Sequence, residues 1–190
     1  MELNPLTALS PIDGRYARQT DALRDIFSEC AFMNARVRVE VEWLISLSEA
    51  GFAELPHLSD HGKAFLRGLA DNFSLADCEA IKEIEKTTNH DVKAVEYWIK
   101  NQVAHDEELK SASEFVHFSC TSEDINNTSH AIMLKRGREA LADYLQQIHD
   151  TIAGFAHQWA EIPMLSRTHG QTASPTTVGK EFANVAVRLE

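Results

Sequence analysis

The chain has 190 residues, of which 44% are hydrophobic and 25% are charged, which is typical of globular proteins and not of low-complexity or collagen-like chains. Its formal net charge is −11 and its longest basic run is Lys135-Arg136, so nucleic acid is not expected as a partner. No segment approaches the roughly 18 apolar residues that cross a bilayer, and residues 1–16 lack the pattern of a signal peptide, so no membrane association is expected.

Cysteine and histidine spacing bears on disulfides and metals. Cys30, Cys78 and Cys120 are far apart, odd in number and without a CxxC pair, which argues against a disulfide framework and a zinc cluster. We therefore expect a reducing, cytoplasmic environment. His57 and His61 have the i, i+4 spacing of a metal-binding pair, but no third ligand is evident, so metal binding is an alternative and no metal site is predicted.

The first half of the chain has the pattern of helices. Apolar residues recur at three- and four-residue steps over about residues 21–50 and predict a long amphipathic helix that stops at Gly51. Ser74 and Asp77 form a capping-box pattern that opens a second helix, which ends before residues 87–90. A further helix is predicted from Asp91 to Val103.

The second half contains a heptad seam. It predicts a helix, or two nearly collinear helices, over about residues 122–161, on the order of 60 Å long. A following helix is predicted with Ser174 as N-cap and Pro175 at its first position. The seam needs neighbours that the chain does not contain, so we expect further helices from downstream sequence or partner subunits. Its residues are Leu141, Leu145, Ile148, Ile152, Phe155 and Trp159.

These patterns predict an all-α fold in two parts. An N-terminal helical domain is expected over residues 1–111, after which residues 112–190 begin a bundle of long helices that is incomplete here.

Four polar interruptions between the helices concentrate the candidate chemistry: residues 10–16, 87–91, 119–127 and 166–172. Unpaired N–H groups and the helix dipole make a helix N-terminus an anion site, so Thr121 and Ser122 could bind a carboxylate at the start of the long helix. The alternative is ordinary N-capping.

Two histidines and an arginine are further candidates. His169 could be a general acid or base, because an ordinary histidine pKa of about 6.5 suits proton transfer near neutrality. His90 lies just before a helix and could equally be a capping residue. Arg15, beside Tyr16, could offer a guanidinium fork to phosphate, the alternative being a surface turn.

Taken in order, these interruptions closely resemble the adenylosuccinate lyase family of the aspartase/fumarase superfamily. The resemblance extends over essentially the whole chain. The segments that carry it are SPIDGRY at 10–16, TTNHDVKAVEYW at 87–98, FVHFSCTSEDINN at 115–127 and SRTHGQTASPTTVGKE at 166–181.

The resemblance implies an enzyme that cleaves a C–N bond and releases fumarate from adenylosuccinate, giving AMP, and from the succinylated carboxamide intermediate of purine synthesis. It implies no cofactor. His169 resembles the general acid that protonates the departing nitrogen. The residues that resemble substrate contacts are Arg15 and Tyr16 for the nucleotide, Asn89, His90 and Asp91 in a second segment, and Thr121 and Ser122 for a succinyl carboxylate, with Gln171 a further candidate.

The chain departs from the family in one respect. The family's base is a serine on a serine-rich loop followed by a Met-Pro-x-Lys-x-Asn segment, and no such loop occurs here. We therefore expect an N-terminal portion that is inactive alone, from a protein that the resemblance makes a cytoplasmic homotetramer. The alternative is a non-catalytic helical interaction module derived from such a lyase.

Overall fold

The computed structural model describes residues 5–52 and 54–190, and these are mainly helical, with 3-10 turns at 21–23 and 113–115. Residues 1–4, at the start of the segment for which no signal peptide is predicted, lie outside the described ranges. The helical fold class is confirmed, although a β-hairpin interrupts it. The elements are α1 (Arg24–Phe27), α2 (Glu29–Glu49), α3 (Asp60–Asp71), α4 (Leu75–Thr88), α5 (Asp91–Val103), α6 (Glu107–Ala112), α7 (Ser122–Gln158), β1 (Pro163–Thr168), β2 (Gln171–Thr177) and α8 (Val178–Leu189).

The helix predicted over residues 21–50 is divided at Ser28. Ser28 has extended backbone, with ψ at 163°, and its Oγ accepts a hydrogen bond from the Ala31 N–H at 3.1 Å, so it caps α2 instead of continuing α1. The predicted stop is confirmed: α2 ends at Glu49, and Gly51 has a φ of +74°.

Helix α5 has the predicted bounds, and α4 begins at the predicted cap but continues through Thr87 and Thr88, two residues beyond its predicted end. The Ser74 N–H and Oγ both donate to Asp77 Oδ2, at 2.8 and 2.7 Å, which is one half of the predicted capping box. Asn89 follows α4 with a φ of +51°, a left-handed conformation that asparagine tolerates, so the chain reverses into α5 within two residues.

The expectation that the cysteines form no disulfide is wrong. Cys30 on α2 and Cys78 on α4 are bonded, with their Cα atoms 5.7 Å apart, while Cys120 remains a free thiol. The spacing of 48 residues gave no sign of this pairing, because only the packing of α4 beside α2 brings the two positions together.

Helix α7 confirms the long helix as one continuous element of 37 residues, about 55 Å long at 1.5 Å per residue. The helix start predicted at Ser174 and Pro175 is wrong, since both lie in β2, where Pro175 is opposite Leu165. A two-stranded ribbon has only edge strands, which tolerate proline. Thr177 caps α8 instead, its Oγ1 accepting from the Lys180 N–H at 3.2 Å.

Residue contacts divide the chain into two compact units, Met1–Gly137 and Arg138–Glu190. The domain boundary expected after residue 111 stays a prediction. The first unit contains the main core, formed chiefly by α2, α3, α4 and α5 around side chains such as Val37, Leu58 and Leu66, each fully buried. In the second unit, Phe155 of α7 and Trp159, in the turn just after α7, pack against Phe182 of α8.

The seam on α7 has an exposed section in its own unit. Leu141, Leu145 and Ile148 are 44%, 57% and 50% exposed, in agreement with the expectation that this face needs neighbours. None of the helices in the described ranges is both long and apolar enough to cross a membrane.

Candidate active site

The turn between α4 and α5 brings two predicted site residues into defined contacts. His90 is the N-cap of α5, and its Nδ1 accepts a hydrogen bond from the Lys93 N–H at 3.2 Å. The capping alternative is therefore observed, and His90 Nε2 is left to face Ser122 Oγ at 3.4 Å, although the two residues are 32 positions apart in sequence.

This geometry assigns the hydrogens of the pair. A nitrogen that accepts a backbone hydrogen bond carries no proton, so the neutral imidazole has its proton on Nε2. His90 Nε2–H then donates to Ser122 Oγ, and the Ser122 hydroxyl hydrogen remains available to a ligand oxygen. Ser122 is the first residue of α7, where the helix dipole also favours an anion.

Thr121 is used differently from Ser122. Its N–H and Oγ1 both donate to Asp124 Oδ2, each at 2.8 Å, and these two bonds hold the pKa of the Asp124 carboxyl below its usual value. The Thr121 hydroxyl is thus committed to Asp124 in the first turn of α7, where it donates to a carboxylate and does not accept an N-cap hydrogen bond.

Asp91 has a carboxylate that is already paired inside the protein. Burial opposes its ionisation, but the Val92 N–H at 2.9 Å from Oδ1 and the Arg36 guanidinium at 2.6 Å from Oδ2 together lower the pKa of Asp91. The role of Asp91 as a substrate contact stays a prediction.

Sequence reasoning missed two charged residues on α2, Arg36 and Glu40, which are 3% and 0% exposed. Glu40 Oε1 lies 2.6 Å from His117 Nδ1, and this hydrogen bond, acting against burial, raises the pKa of His117. The sequence did contain a signal for these two residues, because both charges lie within the apolar pattern of α2. A charge that is buried there needs a polar partner.

The segment with Arg15 and Tyr16 forms a series of exposed turns. The guanidinium carbon of Arg15 lies 5.5 Å from the centre of the Tyr16 ring, and the Tyr16 N–H donates to the Pro11 carbonyl at 2.8 Å. No hydrogen bond or ion pair in the described ranges joins either residue to His90 or Ser122.

His169 lies in the second unit, in the two-residue turn between β1 and β2. His169 and Gly170 have φ values of +49° and +73°, as in the tight turns that join hairpin strands, and Thr168 pairs with Gln171 on either side. The hairpin thus holds an exposed imidazole at its tip, with the adjacent backbone fixed by strand pairing.

The alternative metal pair does not share a helix. His57 precedes α3, with its Nδ1 3.1 Å from the Leu58 carbonyl oxygen, while His61 lies in the first turn of α3. No cluster of three or more His, Cys, Asp or Glu side chains suited to a metal ion occurs in the described part of the chain.

Solved structures with low sequence identity have the same fold. A 3-carboxy-cis,cis-muconate lactonizing enzyme from Pseudomonas putida aligns with a TM-score of 0.67 at 23% identity, covering 89% of this chain and 37% of that one. A fumarate lyase from Mesorhizobium sp. BNC1 aligns with a TM-score of 0.68 at 20% identity, covering 89% and 39%.

Curated relatives match along the whole chain. It is 54% identical to the adenylosuccinate lyase of Vibrio cholerae, 55% to that of Haemophilus influenzae and 53% to that of Escherichia coli strain K12. In each case the match covers all of this chain and 42% of the relative, so the chain spans less than half the length of these proteins. The family model described as Lyase matches residues 14–190, and the chain therefore belongs to this lyase family.

Proposed function

We propose that the complete protein is an adenylosuccinate lyase of purine and AMP biosynthesis. It eliminates fumarate from adenylosuccinate and from the succinylated aminoimidazole carboxamide ribotide. The observation that carries the proposal is the identity of 53–55%, along the whole chain, to proteins of that name. The pairing of His90 with Ser122 at a helix N-terminus supports it from the structure.

In this reaction a base removes a proton from the succinyl carbon next to a carboxylate, the C–N bond breaks, and an acid protonates the departing nitrogen. The negative charge that develops on the carboxylate needs preorganised donors. The Ser122 hydroxyl and the N-terminus of α7 fit that role, with His90 Nε2–H holding the Ser122 oxygen.

The remaining roles follow the family resemblance. Arg15 and Tyr16 contact the nucleotide, Arg15 at its phosphate, and Asn89, Asp91 and Thr121 are further substrate contacts. His169, at the tip of the hairpin, is the general acid. The base comes from sequence other than these 190 residues, and the proposal includes no cofactor.

The complete protein is further proposed to be a cytoplasmic homotetramer. The support for self-association is the apolar seam, whose exposed residues Leu141, Leu145 and Ile148 resemble a helix-packing face.

The test uses the complete gene product and measures fumarate release from adenylosuccinate. In His169→Ala we expect kcat to fall by about 10²–10⁴, the usual contribution of a positioned acid, while the Kd for substrate changes little. His105→Ala, at an exposed turn residue, is the control and retains wild-type turnover. Turnover by His169→Ala at the wild-type rate would reject the acid assignment, and a folded wild type that releases no fumarate would favour the interaction module.

A further inference from the structure

We propose that Arg36 is a positioning residue for the elimination reaction, because it fixes the turn at residues 89–91 and the first turns of α7 to the same point on α2. The inference rests on the proposed function, in which both segments bind substrate. It adds a residue outside the segments that carry the family resemblance.

Arg36 makes three contacts with three different parts of the fold. Its Nη2 donates to Asp91 Oδ2 at 2.6 Å, and its Nε donates to Asn126 Oδ1 at 2.9 Å. Its guanidinium carbon lies 3.9 Å from the centre of the Phe32 ring on α2 itself. One planar group therefore joins α2 to the start of α5 and to the second turn of α7.

Because Arg36 is buried, its charge has to be compensated by these contacts. The Arg36 side chain is only 4% exposed, so its charge depends on the Asp91 carboxylate and the Asn126 oxygen in place of water. A lysine could reach one of these acceptors, but it lacks the fixed fork of donors that addresses two acceptors from one plane.

The two anchored residues flank the candidate donors. Asp91 directly follows His90, and Asn126 lies four residues, about one helical turn, after Ser122. The contact between His90 Nε2 and Ser122 Oγ is already 3.4 Å, so a small displacement of either segment would break it. Arg36 thereby sets the distance on which the orientation of the Ser122 hydroxyl depends.

The experiment measures kcat and KM for fumarate release in the complete protein. Arg36→Met removes both polar contacts but keeps an apolar side chain of similar length. Arg36→Lys keeps the positive charge and can reach one of the two acceptors. Asn126→Leu removes the Asn126 acceptor and leaves the ion pair of Arg36 with Asp91. Arg38→Met is the matched control, because Arg38 is also on α2 and its Nη2 also lies 2.6 Å from a carboxylate, that of Asp71 at the surface.

We expect Arg36→Met to lower kcat/KM by about 10²-fold and to raise KM, since a displacement of about 1 Å at a site has that order of effect. Arg36→Lys and Asn126→Leu give smaller losses that do not add in the double variant, because each removes the same contact. Arg38→Met keeps the wild-type values.

A purely structural role would instead reduce the yield of folded protein and leave KM unchanged. Folding and assembly are therefore checked by circular dichroism and size-exclusion chromatography. If Arg36→Met does not fold, the two milder variants still decide: wild-type kcat and KM in both would overturn the positioning role. Fumarate release absent from the wild type would reject the proposed function and this inference together, whereas an active wild type with unaffected variants rejects this inference alone.

Discussion

The buried pair formed by Glu40 and His117 predicts stability that depends on pH. Glu40 is fully buried, and its Oε1 lies 2.6 Å from His117 Nδ1, whose side chain is 18% exposed. We expect Glu40→Gln to lower the free energy of unfolding by about 1.5–3 kcal/mol near pH 6, the range for a hydrogen bond to a charged group.

The direction of the pH effect follows from His117. Its pKa is raised, first by the hydrogen bond to Glu40, with the nearby Glu96 acting in the same direction and burial and Lys93 opposing. A group with a raised native pKa contributes stability that is fully present below its unfolded pKa of about 6.5 and is lost as pH rises through the native pKa. The loss caused by Glu40→Gln should therefore be smaller at pH 9 than at pH 6.

The assay is urea unfolding of the 190-residue chain at one fixed protein concentration, since association would shift the midpoint. Glu83→Gln is the matched control, because Glu83 forms an exposed ion pair with Lys86 on α4, and its loss should leave stability nearly unchanged at both pH values. A loss from Glu40→Gln that is equal at pH 6 and pH 9, or larger at pH 9, would refute the reasoning.

Two further predictions concern the disulfide and two glycines. Reduction of the disulfide, or the double variant Cys30→Ser with Cys78→Ser, should lower the free energy of unfolding by about 4 kcal/mol, because the unfolded chain regains loop-closure entropy. Thiol titration of the unfolded, unreduced chain should find one free thiol. A count of three thiols would contradict the disulfide. Gly137→Ala should lower the melting temperature, because the added Cβ would overlap the Phe27 ring. Gly154→Ala should raise the melting temperature slightly, because Gly154 has open space around it and alanine favours the helix. Thermal circular dichroism measures both shifts, and equal shifts would contradict the packing argument.

Sequence reasoning succeeded where the determinants are local. The seam of α7, the cap at Ser74 and the start of α5 at Asp91 depend on residues within a few positions of one another, and all three form as expected. It failed at residues 163–177, where Ser174 and Pro175 have the pattern of a helix start but belong to a strand paired across the turn.

The candidate site was predictable in its parts and not in its assembly. Helix-start chemistry indicated His90 and Ser122 separately, but their contact depends on how α5 and α7 pack. Arg36 and Glu40 were overlooked because their partners lie 55, 77 and 90 positions away, distances over which a single sequence carries no pairing signal.

The two overlooked charges explain how a helix of the core also organises a polar site. Arg36 and Glu40 are one helical turn apart on α2, so they lie on the same side of the helix. Neither can remain buried without an opposite charge or polar partner. Those partners come from the segments around residues 89–91 and 117–126, so formation of the core requires both segments to dock on α2. Substitutions that loosen α2 should therefore impair substrate binding as well as stability, whereas exposed positions on α2 should affect neither.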